Sequence, residues 1–358
     1  MNPTPPSSKR NIPIDNIKAV LIFMVVFGHL IELHIGNDHF LRSIWIAIYA
    51  FHMPMFALVS GMFSKASLDE RQIGQLVKNI VAPLIAFEVL YEVVECLLHG
   101  ELSIYSGLIA PYWMLWYLLS LLSWRLLLPL FARLQFPVVL SLILALVTTY
   151  SEHIGYTLSL SRTFMFFPFF LLGWKFGSGL FLSEKKSWLL INPGIVGVAI
   201  VASFLLKSDF DYRWLYGSFS LHRLQMANLT GTAYQLLQYG LSTVIGLAVL
   251  NLLARRDWGL ARIGQRSIYV FLWHGAALIA MEEFGLLNSI FQMEDTAALL
   301  LSLTSSAVIV WLCSHPRCES LTQKIILRPL TWFILRYPDN PEEQQSPVLA
   351  EKVAQQKN

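Results

Sequence analysis

Ten apolar runs, most of them about as long as a bilayer crossing, leave this chain few ways to fold. They lie near residues 15–35, 43–63, 77–98, 112–132, 136–150, 164–181, 188–206, 233–253, 267–284 and 297–314. A hydrocarbon core takes roughly 20 apolar residues of helix, and inside it every backbone amide must find its partner within the protein. The expectation is therefore an all-α integral membrane protein, a bundle of about ten transmembrane helices. Composition agrees: 55% of residues are hydrophobic, 14% are charged, and mean hydropathy is +0.55. The first run carries charges at its start and no small-residue cleavage pattern after it, so it reads as a retained helix rather than a removable leader.

The stretch before it is rich in Pro and Ser, and residues 337–358 are polar without an apolar period. Both ends are expected as disordered cytoplasmic tails, 1–14 and 337–358, around one membrane domain at 15–336. Orientation follows from Lys and Arg, which cytoplasmic connections carry in excess. With ten helices, one side receives Lys9, Arg10, Lys65, Arg71, Lys78, Lys185, Lys186, Arg255 and Arg256, among others. The opposite side receives only Arg42, Arg162, Lys207, Arg213 and Arg223. That bias predicts a multi-pass protein of the plasma (inner) membrane with both termini in the cytoplasm. It also accounts for the net charge of +3, which is no argument for nucleic acid binding.

Cys96, Cys313 and Cys318 show no disulfide spacing. Cys313, His315 and Cys318 read as the end of a helix before Pro316 rather than as metal ligands. The stretch "HLIELH" matches neither HExxH nor HxxEH, so no metal is expected.

The stretch from Pro13 to His34, PIDNIKAVLIFMVVFGHLIELH, places ionisable residues in apolar sequence. On a helix, Lys18 and His29 fall within ~20° of each other around the axis and ~16 Å apart along it. Asp15 lies on the same side as Lys18, and Glu32 one turn above His29. Ionisable groups in hydrocarbon are costly unless they face protein or water, so this stripe is expected to point into the bundle.

A lysine or arginine followed by ten residues and a histidine in the first helix resembles the signature of the membrane acyltransferase family three. Four further stretches are similar to the same family: FHMPMFALVSG at 51–61, YWMLWYLLSLLSWRLLLP at 112–129, SLSRTFMFFPFFLLG at 159–173 and SIYVFLWHG at 267–275. The nearest branch by resemblance is the fucose 4-O-acetylase-like proteins. The resemblance implies an O-acyltransferase that takes an acyl group, acetyl above all, from cytoplasmic acetyl-CoA or another acyl-CoA. The acceptor it implies is a hydroxyl of a glycan or glycolipid of the cell envelope.

On that reading His29 is the catalytic base, Lys18 meets the CoA phosphates, and Asp15 fixes the direction of Lys18. Glu32 is the residue placed to orient the imidazole. In the first cytoplasmic loop many relatives carry two arginines three apart, whereas here Gln75 and Lys78 stand at roughly those places. Arg71 and Lys78 are the cations left for CoA phosphates.

His52, Trp116, Arg162 and His274 are expected around the substrate: His52 facing His29 across the bundle, Trp116 stacking on a sugar or the pantetheine, and Arg162 holding sugar hydroxyls or a phosphate. His274 matches the family's late histidine.

Glu88, Glu92, Glu95 and His99 form a second stripe on one helical face. They line the acceptor pocket, partner His29, carry protons, or stand wet at the outer surface. A proton relay would suit a transporter or flippase of a sugar or lipid, the competing class. The outer connection from 207 to 232, with its Tyr, Trp, Arg and His, is a possible cap on the acceptor site or a structural plug.

Overall fold

The computed structural model describes residues 11–36, 38–103, 110–152, 154, 157–182 and 187–335. In chain order its helices are α1 (Ile12–Glu32), α2 (His39–Tyr49), α3 (His52–Met62), α4 (Glu70–Leu76), α5 (Ala82–His99), α6 (Trp116–Phe131), α7 (Pro137–Thr149) and α8 (Leu160–Phe176). There follow α9 (Ser187–Leu206), α10 (Leu229–Ala254), α11 (Ala261–Gln265), α12 (Ser267–Glu283), α13 (Leu286–Phe291), α14 (Asp295–Cys313), α15 (Pro316–Leu321) and α16 (Arg328–Ile334). No strand occurs among the described residues, and the protein is an all-α membrane protein. Five helices or helix pairs are long and apolar enough to cross a bilayer: Ile12–Glu32, His39–Met62, Trp113–Phe131, Leu229–Ala254 and Asp295–Cys313. Pro137–Thr149 and Ile191–Leu206 are apolar but shorter.

Local sequence explains where helices start and break. α1 opens at Ile12, within the stretch read from sequence as tail, because Pro13 sits in the first turn, where a missing N–H costs nothing. The second apolar run is not one straight helix. Pro54 has no N–H to give the Ala50 carbonyl, and the chain leaves helical geometry at Phe51, splitting the run into α2 and α3. The freed carbonyl accepts the Ser242 hydroxyl of α10 at 2.5 Å. A membrane interior tolerates such a break only when a neighbour supplies the missing bond.

α1 is the central post. It packs against α2, α3, α10, α11, α12 and α14. Asn16 ties it to the connection before α11, donating to Asp257 at 3.1 Å and accepting from the Leu260 N–H at 3.1 Å. Gly264 on α11 lies so close that a Cβ there would meet the Asp15 carbonyl oxygen at 1.7 Å.

The most extensive crossing joins α3 and α8. A Cβ on Gly61 would lie 1.9 Å from the Phe170 carbonyl oxygen, and one on Gly173 would lie 1.8 Å from that of Leu58. The pairing is antiparallel, since the later residue of one helix meets the earlier of the other. Lipid tails are as apolar as leucine, so close backbone approach through small residues supplies the packing. Gly173→Ala is expected to force the helices apart at a cost of roughly 1–3 kcal/mol, read as a lower Tm of the detergent-purified protein. An unchanged Tm would contradict the close packing.

Candidate active site

The last turn of α1 carries a histidine and a carboxylate in contact. His29 Nδ1 lies 2.9 Å from Glu32 Oε2. The Tyr49 hydroxyl of α2 donates to the same oxygen at 3.0 Å, and Glu32 also accepts from Tyr216. In the neutral tautomer with its proton on Nδ1, the imidazole donates to this carboxylate and Nε2 keeps its lone pair. Gly28 makes the approach possible, because a Cβ there would lie 2.8 Å from the Tyr49 ring. The imidazole is walled by Trp113, edge-on at 5.0 Å, and by His274, stacked at 5.6 Å.

His29 stands between two cavities. Toward Lys18 runs a mostly apolar cavity of about 170 Å³, lined by Ile22, Val25, Phe56, Phe63, Tyr117 and Phe271. Lys18 closes its far end, held by Asp15 at 2.7 Å and lying 5.4 Å from the Phe63 ring. Through Ser60, Phe63, Leu121 and Ile268 this space adjoins a cavity of about 430 Å³ whose lining includes Lys78 and Arg125.

On the Glu32 side lies a cavity of about 390 Å³ walled by Tyr49, His52, Trp113, Trp116, Tyr212, Tyr216 and Phe219, with Arg162 and Arg213 on its rim. His29, Met53 and Trp116 belong to both cavities. Arg162 lies 5.0 Å from the Trp116 ring and donates to the Tyr216 carbonyl at 3.2 Å. Arg213 is fastened to Asp211 at 2.7 Å, and this hydrogen bond holds the Asp211 carboxyl below its usual range.

The structure thus brings His29, Glu32, His52, Trp116 and Arg162 around one space, with Lys18 at the far end of the adjoining one. It places other sequence-expected residues elsewhere. Asp15 sits beside Lys18, also accepting from Gln265 at 3.1 Å, and lines neither cavity. Arg71 is exposed on α4 and lines none of the cavities described above. His52 does not reach His29 directly; Tyr49 stands between, its ring 4.5 Å from His52 and 6.4 Å from His29. His274 backs the His29 ring without lining the cavities, with Nδ1 donating to the Phe271 carbonyl at 2.8 Å.

The acids of α5 hydrogen-bond the chain that leads into α6. Glu92, expected at the substrate, accepts the Ser103 N–H at 3.0 Å and its hydroxyl at 2.5 Å, away from both cavities. Glu88 accepts the Tyr112 N–H with both oxygens at 3.0 Å. Glu95 accepts the Tyr112 hydroxyl at 2.5 Å and contacts His99 at 3.0 Å. Tyr91 stacks on Tyr112 at 4.8 Å. The stripe clamps the chain entering α6, and the residue after the clamp, Trp113, takes φ +27°. That conformation is costly for a tryptophan and persists only where its surroundings impose it. Trp113 was not legible as a site residue, since its backbone and its place beside His29 depend on this clamp. Tyr49 left no motif either, while Tyr212, Arg213, Tyr216 and Phe219 come from the connection whose aromatic and basic content was legible.

A family described as an acyltransferase domain matches residues 11–315. The chain is 31% identical over 206 residues to nodulation protein NolL of Sinorhizobium fredii (strain NBRC 101917 / NGR234), covering 53% of this chain and 54% of that protein. It is 26% identical over 125 residues to nodulation protein NolL of Mesorhizobium japonicum (strain LMG 29417 / CECT 9101 / MAFF 303099), covering 31% and 34%. The chain thus spans about half the length, or less, of these curated relatives. No solved structure matches it. With the family match running from the first turn of α1 past the end of α14, the chain belongs to the acyltransferase-3 family of membrane proteins.

Proposed function

We propose that this protein is an O-acyltransferase of the plasma membrane, with both termini in the cytoplasm. It moves an acyl group, acetyl by preference, from cytoplasmic acyl-CoA to a hydroxyl of an exported or cell-envelope glycan. The observation that carries the reading is the position of His29, oriented by Glu32, at the junction of an apolar cavity and an aromatic one. The apolar cavity, closed by a cation, suits the pantetheine arm and phosphates of acyl-CoA. An aromatic-walled space with two arginines suits a sugar ring, which stacks on faces and offers hydroxyls to donors.

Acyl-CoA supplies the acyl group already activated as a thioester. His29 takes the proton of the acceptor hydroxyl on Nε2 as the oxygen attacks the thioester carbon. Glu32 holds Nδ1–H and stabilises the imidazolium that forms, the division of labour known from histidine–carboxylate pairs. The same imidazolium then returns the proton to the leaving sulfur. The competing transporter reading leaned on the acids of α5, whose hydrogen bonds to Tyr112 and Ser103 favour the enzyme.

The direct test is acetyl-CoA consumption by the purified protein in detergent, with and without a glycan fraction. His29→Ala is expected to lower turnover by roughly 10²- to 10⁴-fold while the protein elutes as folded material; near-normal turnover would sink the mechanism. Glu32→Gln removes the charge that stabilises the imidazolium and is expected to lower kcat more than it raises KM. Substrate movement across proteoliposomes without acyl-CoA consumption would overturn the enzyme reading itself.

The clamp gives an independent prediction. Trp113→Ala is expected to raise the acceptor KM by ~10-fold or more, the scale of a lost stacking contact. Glu88→Leu, which frees the Tyr112 N–H, is expected to reproduce part of that rise without touching donor KM. An unchanged acceptor KM in both variants would separate Trp113 from the acceptor.

A further inference from the structure

The Lys78 cavity is also lined by Arg125, a cation with no ion-pair partner among the described residues. Arg125 lies on α6 four residues beyond Leu121 and eight beyond Tyr117, so all three share one face that follows the cavities from His29 toward Lys78. It lies six residues before the end of α6, ~9 Å along the axis. Its Nη2 donates to Gln72 Oε1 at 3.2 Å, while Nε is buried with no hydrogen-bond partner. Among the described residues no carboxylate pairs with Arg125, and no Asp or Glu lines the cavity. Lys78 lines the same space, which puts a second positive charge there.

A guanidinium does not deprotonate, so burial cannot relieve it by neutralisation. A half-buried guanidinium with a buried, unsatisfied Nε and no counter-ion is costly. The missing partner is therefore an anion. The remaining polar lining, Ser60, Ser64, Gln75, Asn79, Tyr269 and Gln323, can donate hydrogen bonds without adding opposing charge. A planar guanidinium fork beside a lysine matches phosphate oxygens well.

We infer that Arg125 anchors a phosphate of the acyl donor, holding the nucleotide end of acyl-CoA in the Lys78 cavity. The pantetheine arm then runs past Ser60, Phe63 and Leu121 to His29. This rests on the acyltransferase reading for the identity of the donor, though not for the presence of a phosphate site.

The test compares acetyl-CoA with S-acetylpantetheine, which has the thioester arm and no phosphate. In Arg125→Gln the ratio of kcat/KM for acetyl-CoA to that for S-acetylpantetheine is expected to fall ~10- to 100-fold, the scale of a lost charge-assisted hydrogen bond. An unchanged ratio overturns the assignment. Phenylglyoxal labelling of the wild-type protein, read by mass spectrometry, needs no variant: free coenzyme A is expected to protect Arg125, and equal labelling with and without it overturns the site. Thermal melting separates this inference from the proposed activity. If the wild type transfers no acetyl group yet free coenzyme A raises its Tm and not that of Arg125→Gln, the phosphate site stands and the acyltransferase reading fails. If coenzyme A raises the Tm of neither protein, the phosphate site falls.

Discussion

The contact between His29 and Glu32 sets the terms for the rest of the molecule. An imidazole and a carboxylate near the end of a membrane helix are affordable only if each satisfies the other and both are shielded from lipid. Glu32 answers His29 from the next turn, Tyr49 and Tyr216 complete the carboxylate's hydrogen bonds, and Trp113 and His274 close the imidazole from two sides. This demands that α1 be surrounded, and it is, by α2, α3, α10, α11, α12 and α14. Of the five spans long and apolar enough to cross a bilayer among the described residues, α1 is the most enclosed.

Enclosing α1 requires helices to come closer than side chains allow, and glycine meets that need where it matters. Gly28 admits Tyr49, Gly264 admits the backbone of α1, and Gly61 with Gly173 locks α3 to α8. The break at Pro54 belongs to the same economy of space. It ends α2 just after Tyr49 and begins α3 at His52, so both side chains reach the cavity on the Glu32 side. Ser242 makes the break tolerable by taking the orphaned carbonyl.

The acids of α5 show how a costly feature can serve a site it does not enter. Three carboxylates on one helix accept hydrogen bonds from the chain leading into α6 and fix Tyr112 between them. The conformation they enforce reaches Trp113 and, through it, His29. At the opposite end, Asp15 acts on Lys18 in the same way, through a neighbour rather than on any reacting group.

From the sequence alone came the all-α membrane class, the placement of His29 and Lys18 on one helical face, and Glu32 one turn away. These depend on hydropathy and on the ~100° step of the helix, both of which are local properties. Spacing alone also marked the α5 acids as a stripe, but it left their purpose open between proton path, pocket and wet surface. Tertiary structure supplies their partners, because which donors fold against a carboxylate is not a local property, and Ser103 and Tyr112 arrive from beyond the helix. The same holds for Arg125 and Arg71. In sequence each is simply a basic residue, yet one lines a cavity and the other is exposed on α4. Which helices meet, and therefore which charge lacks a partner, is a matter of packing between distant segments, and no local pattern encodes it.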